Sequence, residues 1–155
     1  CLSRGLGDVY KRQEWEVILK DIIDSLFEQM SDEEYNILNE EFGTYMVSRA
    51  YEYRQLLEYL VFRYFAKSIY DYDFLGKCQM LVTNFFVIRQ MDIIRWLDNH
   101  REYSFKDRMD VVHIFSRQVE YSEDNIENLY EDFIFDDIFK TDSLIAILWI
   151  DSENI

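Results

Sequence analysis

The fold of this chain is decided by residues 74–99, which read FLGKCQMLVTNFFVIRQMDIIRWLDN. Residues 80–88 are apolar except for Thr83 and Asn84, and a helix that is apolar on every side lies at the centre of a bundle. The second half of this helix has one polar face, on which opposite charges at three-residue spacing are expected to pair weakly. This face consists of Arg89, Asp92, Arg95 and Asp98. We predict a long central helix over these residues.

Two helices are predicted at the start of the chain. Apolar residues at three- and four-residue spacing predict the first, from Glu14 to Met30. Ser31 and Glu34 have the form of a capping box, in which each side chain bonds the backbone of the other. A second helix is therefore expected to begin directly after Ser31.

The second helix is predicted to end near Glu41, since Gly43 is a typical helix stop. Residues 42–50 have no strong period and are assigned to a connection. A third helix runs from Tyr51 to Tyr70, and a turn over residues 71–73 leads to the central helix. The buried face of the third helix is predicted to be Tyr53, Leu57, Leu60 and Tyr64, with Leu56, Val61 and Phe65 alongside. Its solvent face is predicted to be Glu52, Arg63 and Lys67.

Further helices are predicted after the central one. Ser104 and Asp107 resemble a cap that opens a helix to about Tyr121. The buried face of this helix is predicted to be Phe105, Met109, Val112, Phe115 and Val119. Another helix runs from Ser122 to Phe133, and residues 144–150 form a last apolar segment. With no Pro and no strand period, the fold class is all-α, an irregular bundle of six or seven helices around one long central helix.

The amino-acid composition disfavours some classes of binding partner. The 155 residues include 31 Asp or Glu and 16 Lys or Arg, for a net charge of −15. Nucleic acids and anionic membranes are bound through Lys and Arg, so neither is an expected partner. Residues 81–88, the best apolar run, are too short to span a bilayer. We expect a cytoplasmic protein.

The first thirteen residues differ from the rest. Residues 3–13, SRGLGDVYKRQ, resemble the in-frame translation of a transposase-type sequencing adapter, and they hold two of the four Gly residues. We therefore assign residues 1–13 to a non-native segment and residues 14–155 to one all-helical domain, the C-terminal part of a longer protein. Cys78 is then the only natural cysteine, so we expect no metal site in this part of the protein.

Known catalytic motifs are weakly represented. Residues 71–76 begin like a calcium loop, but Leu75 and Val82 occupy positions that need oxygen ligands, so a helix–helix turn is the better reading. Asp110 and His113 resemble half of a metal-binding pattern of helical bundles, and only one copy exists. The chain has neither a nucleophile elbow nor a Gly-rich phosphate loop. Acyl transfer and nucleotide hydrolysis are therefore not supported.

The predicted junction between the last two helices forms a charged corner, which is a more specific pattern than the motifs above. Arg117 and Glu120 share a helix face, and Ser122 stands where the next helix must be capped. The corner is either a structural joint or part of a ligand surface. For the second case the candidate surface residues are Arg117, Glu120 and Asn125.

The sequence around this corner is also similar to that of a known protein family. Residues 115–125, FSRQVEYSEDN, are similar to the Tyr-Ser-Arg-x-x-Glu-His-Ser-x-Glu-Asn signature of the bacterial flagellin lysine-N-methylase family. Phe115, Tyr121 and Asp124 depart from it, and Tyr121 replaces a His. Further similarity lies in LVFRYFAK, YDYD, IRQ and IRWL, residues 60–67, 70–73, 88–90 and 94–97. The resemblance extends over about residues 51–147.

The resemblance implies a lysine N-methyltransferase that uses S-adenosylmethionine and holds a cysteine-bound metal centre in its N-terminal half. Its expected partner is flagellin or another lysine-bearing protein substrate. This chain would then be inactive without that half, and the resemblance assigns no catalytic residue to it. A lysine nitrogen attacks the methyl group only when deprotonated, so such an enzyme must lower the lysine pKa or supply a base. The alternative is an acidic all-helical interaction or regulatory module.

Overall fold

The computed structural model describes residues 29–117 together with Val17, Lys20, Asp24 and Leu26, except for the side chains at positions 66, 67 and 71. These residues form four α-helices and no strand: α1 (Asp32–Met46), α2 (Ala50–Asp71), α3 (Phe74–Asp98) and α4 (Phe105–Phe115). A 3-10 turn, Val47–Arg49, joins α1 to α2. The all-α class is confirmed. The count of six or seven helices is not, since the predicted helices over 14–30 and 122–133 and the apolar segment over 144–150 lie mostly outside the described residues.

Helix α1 begins as predicted. The Ser31 hydroxyl accepts a hydrogen bond from the Glu34 N–H at 3.3 Å, and the Glu34 carboxylate accepts one from the Ser31 N–H at 2.9 Å. This reciprocal pair satisfies two amide groups that have no partner inside a helix. The Ser31 N–H and the Ser31 hydroxyl both donate to the Glu34 carboxylate, which lowers the pKa of Glu34.

The predicted end of α1 is wrong. The helix continues through Gly43 to Met46, and the expected connection is helical throughout. Leu38, Phe42 and Met46 follow at four-residue spacing and are all buried. Burying these side chains offsets the roughly 1 kcal/mol that a glycine costs inside a helix.

Helix α2 and helix α3 form a hairpin. On α2, Leu56, Leu60 and Tyr64 are buried as predicted, whereas Val61 is 45% exposed, contrary to prediction. Tyr72 ends α2 with a φ of 57°, and Asp73 caps α3 by accepting a hydrogen bond from the Gly76 N–H at 3.0 Å. The helix–helix turn predicted there is confirmed.

Helix α3 contacts each of the other three helices. The Phe42 and Trp96 rings lie 5.4 Å apart, the Tyr53 and Phe85 rings lie 5.7 Å apart, and Arg108 of α4 forms an ion pair with Asp92. The core of the described part therefore surrounds α3.

The polar face predicted for α3 is only partly present. Arg89 and Asp92 are buried, which corrects the expectation that both face solvent. Arg95 is exposed, but it bonds Asp107 at the start of α4 at 3.1 Å rather than a charge on its own helix. Long side chains thus reach neighbouring helices, which a count of spacings within one helix does not consider.

Helix α4 begins at the predicted cap, since Ser104 and Asp107 bond each other's backbone at 2.9 and 3.3 Å. Of the residues predicted for its buried face, Phe115 is confirmed as buried, but others are not. Phe105 is 64% and Met109 is 51% exposed, and Val112 is only half-buried. The buried residues of α4 are Arg108, Val111 and Phe115. The buried side of α4 is thus shifted around the helix relative to the prediction, and it includes Arg108, which faces Asp92 of α3. Its α-helical part is Phe105–Phe115, and residues 116–117 continue it as a π-helical turn. The predicted end near Tyr121 lies outside the described residues, as does Val119.

Candidate functional site

The charged centre of the described part is Asp92. This side chain is 0% exposed. Its Oδ2 accepts hydrogen bonds from the Tyr53 hydroxyl at 2.7 Å and from Nη1 of Arg108, and its Oδ1 accepts one from the Tyr103 hydroxyl. A buried carboxylate is stable only with such partners.

A second carboxylate, that of Glu52, joins the same arginine. Glu52 is 6% exposed, so the prediction that it points to solvent is wrong. Its Oε2 lies 3.4 Å from Nε of Arg108, and its Oε1 lies 2.7 Å from Nε of Arg49. The arginines hold Glu52 inside the protein because they compensate its charge. We call Arg49, Glu52, Tyr53, Asp92, Tyr103 and Arg108 the ion cluster.

Aromatic rings complete the surroundings of Arg108. Its guanidinium carbon lies 4.1 Å from the centroid of the Tyr53 ring and 5.7 Å from that of the Tyr103 ring. A cation over an aromatic face is attracted by the ring quadrupole, more strongly when both are desolvated. Arg108 is therefore fixed by two carboxylates and two rings.

The local chain positions these side chains. Asp92 lies four residues from Ile88 and four from Trp96, on the buried side of α3. After α3, His100 and Arg101 have φ values of 56° and 68°, a region that residues other than Gly seldom adopt. This bend returns the chain to the core at Tyr103, whose N–H donates to the Tyr45 hydroxyl at 3.0 Å.

Burial controls protonation in the ion cluster. It raises the pKa of both Tyr53 and Tyr103 well above the usual range, so their hydroxyls stay protonated and donate hydrogen bonds. Burial also raises the pKa of Asp92 to about 6, against the opposing effect of Arg108 and the two tyrosine hydroxyls. Asp92 is thus mostly ionised at neutral pH.

We expect the stability of the chain to increase as the pH falls from 7 to 5. The folded pKa of Asp92, about 6, exceeds its ordinary value of 3.8, so the folded state binds the proton more tightly. Linkage then raises the free energy of unfolding by about 1 kcal/mol over this interval. The groups with lowered pKa, Glu34 and Asp107, act in the opposite sense mainly at lower pH.

Carboxyl carbon NMR measures this directly. The Asp92 signal should titrate with a midpoint near 6. Asp107 is the control in the same spectra, because its hydrogen bonds with Ser104 hold its pKa well below the usual range. An Asp92 midpoint at or below the ordinary value would contradict the prediction.

The ion cluster is closed to substrates. Asp92, Glu52 and Arg108 are all buried, and the oxygens of both carboxylates already accept hydrogen bonds. Neither can accept a proton from an external lysine unless the helices separate. The cluster is suited to joining α2, α3 and α4, and sequence reasoning missed it as a unit. One sequence signal was available: Asp92 lies four residues from both Ile88 and Trp96, on the side of α3 that is buried.

The residues singled out from sequence lie elsewhere. Arg117 is exposed directly after α4, while Glu120 and Asn125 lie outside the described residues. The interpretation of these three residues as one surface therefore stays a prediction. Asp110 is 3.8 Å from Arg95, and His113 is exposed.

A metal centre does not fit this part of the chain. Among the described residues, no group of three or more His, Cys, Asp or Glu side chains is placed to hold an ion. Cys78 is half-buried, and burial raises the pKa of its thiol, which disfavours the thiolate form that metals bind. With only two cysteines in the sequence, these residues do not fit the cysteine-bound metal that the resemblance implies.

A separate pocket of about 250 Å³ lies between α1, the 3-10 turn, α2 and α3. Its wall is mostly apolar. Two arginines, Arg54 and Arg89, contribute to it, and none of the described residues that line it is acidic. S-adenosylmethionine carries a sulfonium and an ammonium group beside one carboxylate, and this wall offers no acid to the two cationic groups.

Fold and site together define an all-helical protein whose described helices are joined by buried charges. The chain belongs to the family of the FliB lysine N-methylase C-terminal domain, whose model matches residues 2–147. Searches of curated proteins and of solved structures give no significant match. The adapter origin of residues 3–13, which fall inside the matched range, stays a prediction. Over the described residues, no helix has the length and apolar character needed to cross a bilayer.

Proposed function

We propose that this chain is the C-terminal helical domain of an S-adenosylmethionine-dependent lysine N-methyltransferase of flagellin, and that it transfers no methyl group on its own. The family match over residues 2–147 carries the proposal. A cysteine-bound metal centre and the methyl-donor site are proposed to lie in the remainder of the enzyme.

The chemistry of the described residues supports the proposal that methyl transfer takes place in the remainder of the enzyme. Methyl transfer to lysine needs a neutral amine and therefore a group that accepts its proton. The ion cluster cannot do this, because the oxygens of Asp92 and Glu52 are already bonded to arginine and tyrosine. What these residues do is hold three helices in a fixed arrangement. A rigid arrangement is what a substrate-positioning domain requires.

A domain exchange tests the proposal. In a complete lysine N-methylase of the family, the C-terminal domain is replaced by residues 14–155 of this chain. Transfer of labelled methyl groups to unmethylated flagellin is then measured by scintillation and intact mass. We expect methylated flagellin from the chimera and none from the present chain with the same donor. A chimera that is folded by circular dichroism but inactive would contradict the domain assignment, and methyl transfer by the chain alone would contradict its inactivity.

The acidic interaction module stays the second candidate. Large exposed hydrophobic residues gather where α2 meets α3, and such patches mark contacts with other proteins. They are Phe62, Ile69, Tyr70, Tyr72, Phe74 and Leu75. This candidate predicts binding of flagellin by the chain without any methyl donor, together with an inactive chimera.

A further inference from the structure

The pocket between α1, α2 and α3 is set apart from the ion cluster by its lining. Phe42, Met46, Leu57 and Phe85 make much of its wall. Tyr53 belongs to both features, because its ring lines the pocket while its hydroxyl donates to Asp92. The pocket therefore lies against the ion cluster and is not part of it.

The size of the pocket defines the class of ligand. A protein cavity of roughly 150 Å³ binds benzene, and this pocket has about 250 Å³. It therefore has room for one aromatic ring and a short chain. Mostly apolar pockets with a few polar groups are typical sites for small molecules, and the polar groups select the ligand.

The charges of the pocket define the sign of the ligand. Arg89 is 8% exposed and lies 6.0 Å from the centroid of the Phe42 ring. Arg54, on the first turns of α2, is largely exposed and lies 3.6 Å from the exposed Glu58 carboxylate, which is not part of the lining. In a protein with a net charge of −15, a wall with two arginines and no acid among its described residues favours an anion.

We propose that this pocket binds a small aromatic carboxylate, with the ring among the apolar side chains and the carboxylate towards Arg54 and Arg89. The site goes beyond methyl transfer, and its occupancy does not depend on the proposed function. A bound anion here contacts α1, α2 and α3 at once. Because it binds only the folded arrangement, it also stabilises the chain.

Amide NMR of the full chain with phenylpropionate tests the proposal. We expect saturable shifts at Gly43, Ala50 and Leu57, which line the pocket. Phenylpropanamide, which is neutral, should bind several-fold more weakly, and phenylpropylamine, which is cationic, should not bind. Equal binding of the three compounds, or shifts spread over other surfaces, would overturn the proposal.

Two matched pairs of variants complete the test. Ala50→Trp places a large side chain in the lining and should abolish binding, whereas Ser48→Trp, outside the lining, should not. Arg54→Gln should weaken the binding of phenylpropionate about threefold, as expected for an exposed charge. The same variant should leave the binding of phenylpropanamide unchanged. Arg63→Gln on the same helix is its control. Undiminished binding to Ala50→Trp would exclude this pocket as the site.

Discussion

The Arg108→Ala variant is expected to lose about 3–5 kcal/mol of unfolding free energy, since it breaks a buried ion pair by removing one partner. Arg108 bonds both Asp92 and Glu52, and all three side chains are buried. The substitution leaves two carboxylates without the guanidinium that joins them. Urea denaturation followed by circular dichroism measures the loss.

Arg95→Ala is the matched control for this prediction. Arg95 also pairs with an acid, Asp107, but its side chain is 44% exposed, and exposed pairs contribute at most about 1 kcal/mol. If Arg108→Ala does not fold, Arg108→Lys is measured in its place. It keeps the positive charge, but it loses one of the two carboxylate contacts and the stacking on the tyrosine rings. Equal stability of the Arg108→Ala and Arg95→Ala variants would refute the role assigned to Arg108.

The second large effect is expected at Phe42. This ring is 0% exposed and lies 5.4 Å from the Trp96 ring and 6.1 Å from the Tyr103 ring. Phe42→Ala should therefore cost about 3–5 kcal/mol, the range for truncating a buried aromatic residue.

Phe62→Ala provides the comparison for Phe42→Ala, because the same atoms are removed at a site that is 80% exposed. Its effect should stay within about 0.5 kcal/mol, as is usual for surface positions. The pair of variants is measured in one thermal or urea series. A loss at Phe62 as large as that at Phe42 would contradict the core described here.

The local features of the fold could be predicted from the sequence. The capping residues Ser31 and Ser104 interact with groups three residues away, so their pattern is visible in a short window. The turn at Asp73 is equally local. The all-α class follows from the same short-range periodicity.

Features that depend on distant partners could not be predicted. Periodicity assigns a charged residue to the solvent face, yet Glu52 and Asp92 are buried because Arg108 compensates them across 56 and 16 positions. The same contact turns α4, which exposes Phe105 and Met109. Gly43 misled the prediction in a similar way, since burial of Phe42 and Met46 outweighs its tendency to end a helix.

The joining of helices by the pair Asp92 and Arg108 is tested most directly by a double-mutant cycle at neutral pH. The free energies of unfolding are measured for the wild-type chain, Asp92→Asn, Arg108→Met and the double variant. We expect the double variant to lose about 2 kcal/mol less than the sum of the two single losses, as contacting residues do. Losses that add to within about 0.5 kcal/mol, as they do for distant and independent sites, would contradict the ion cluster.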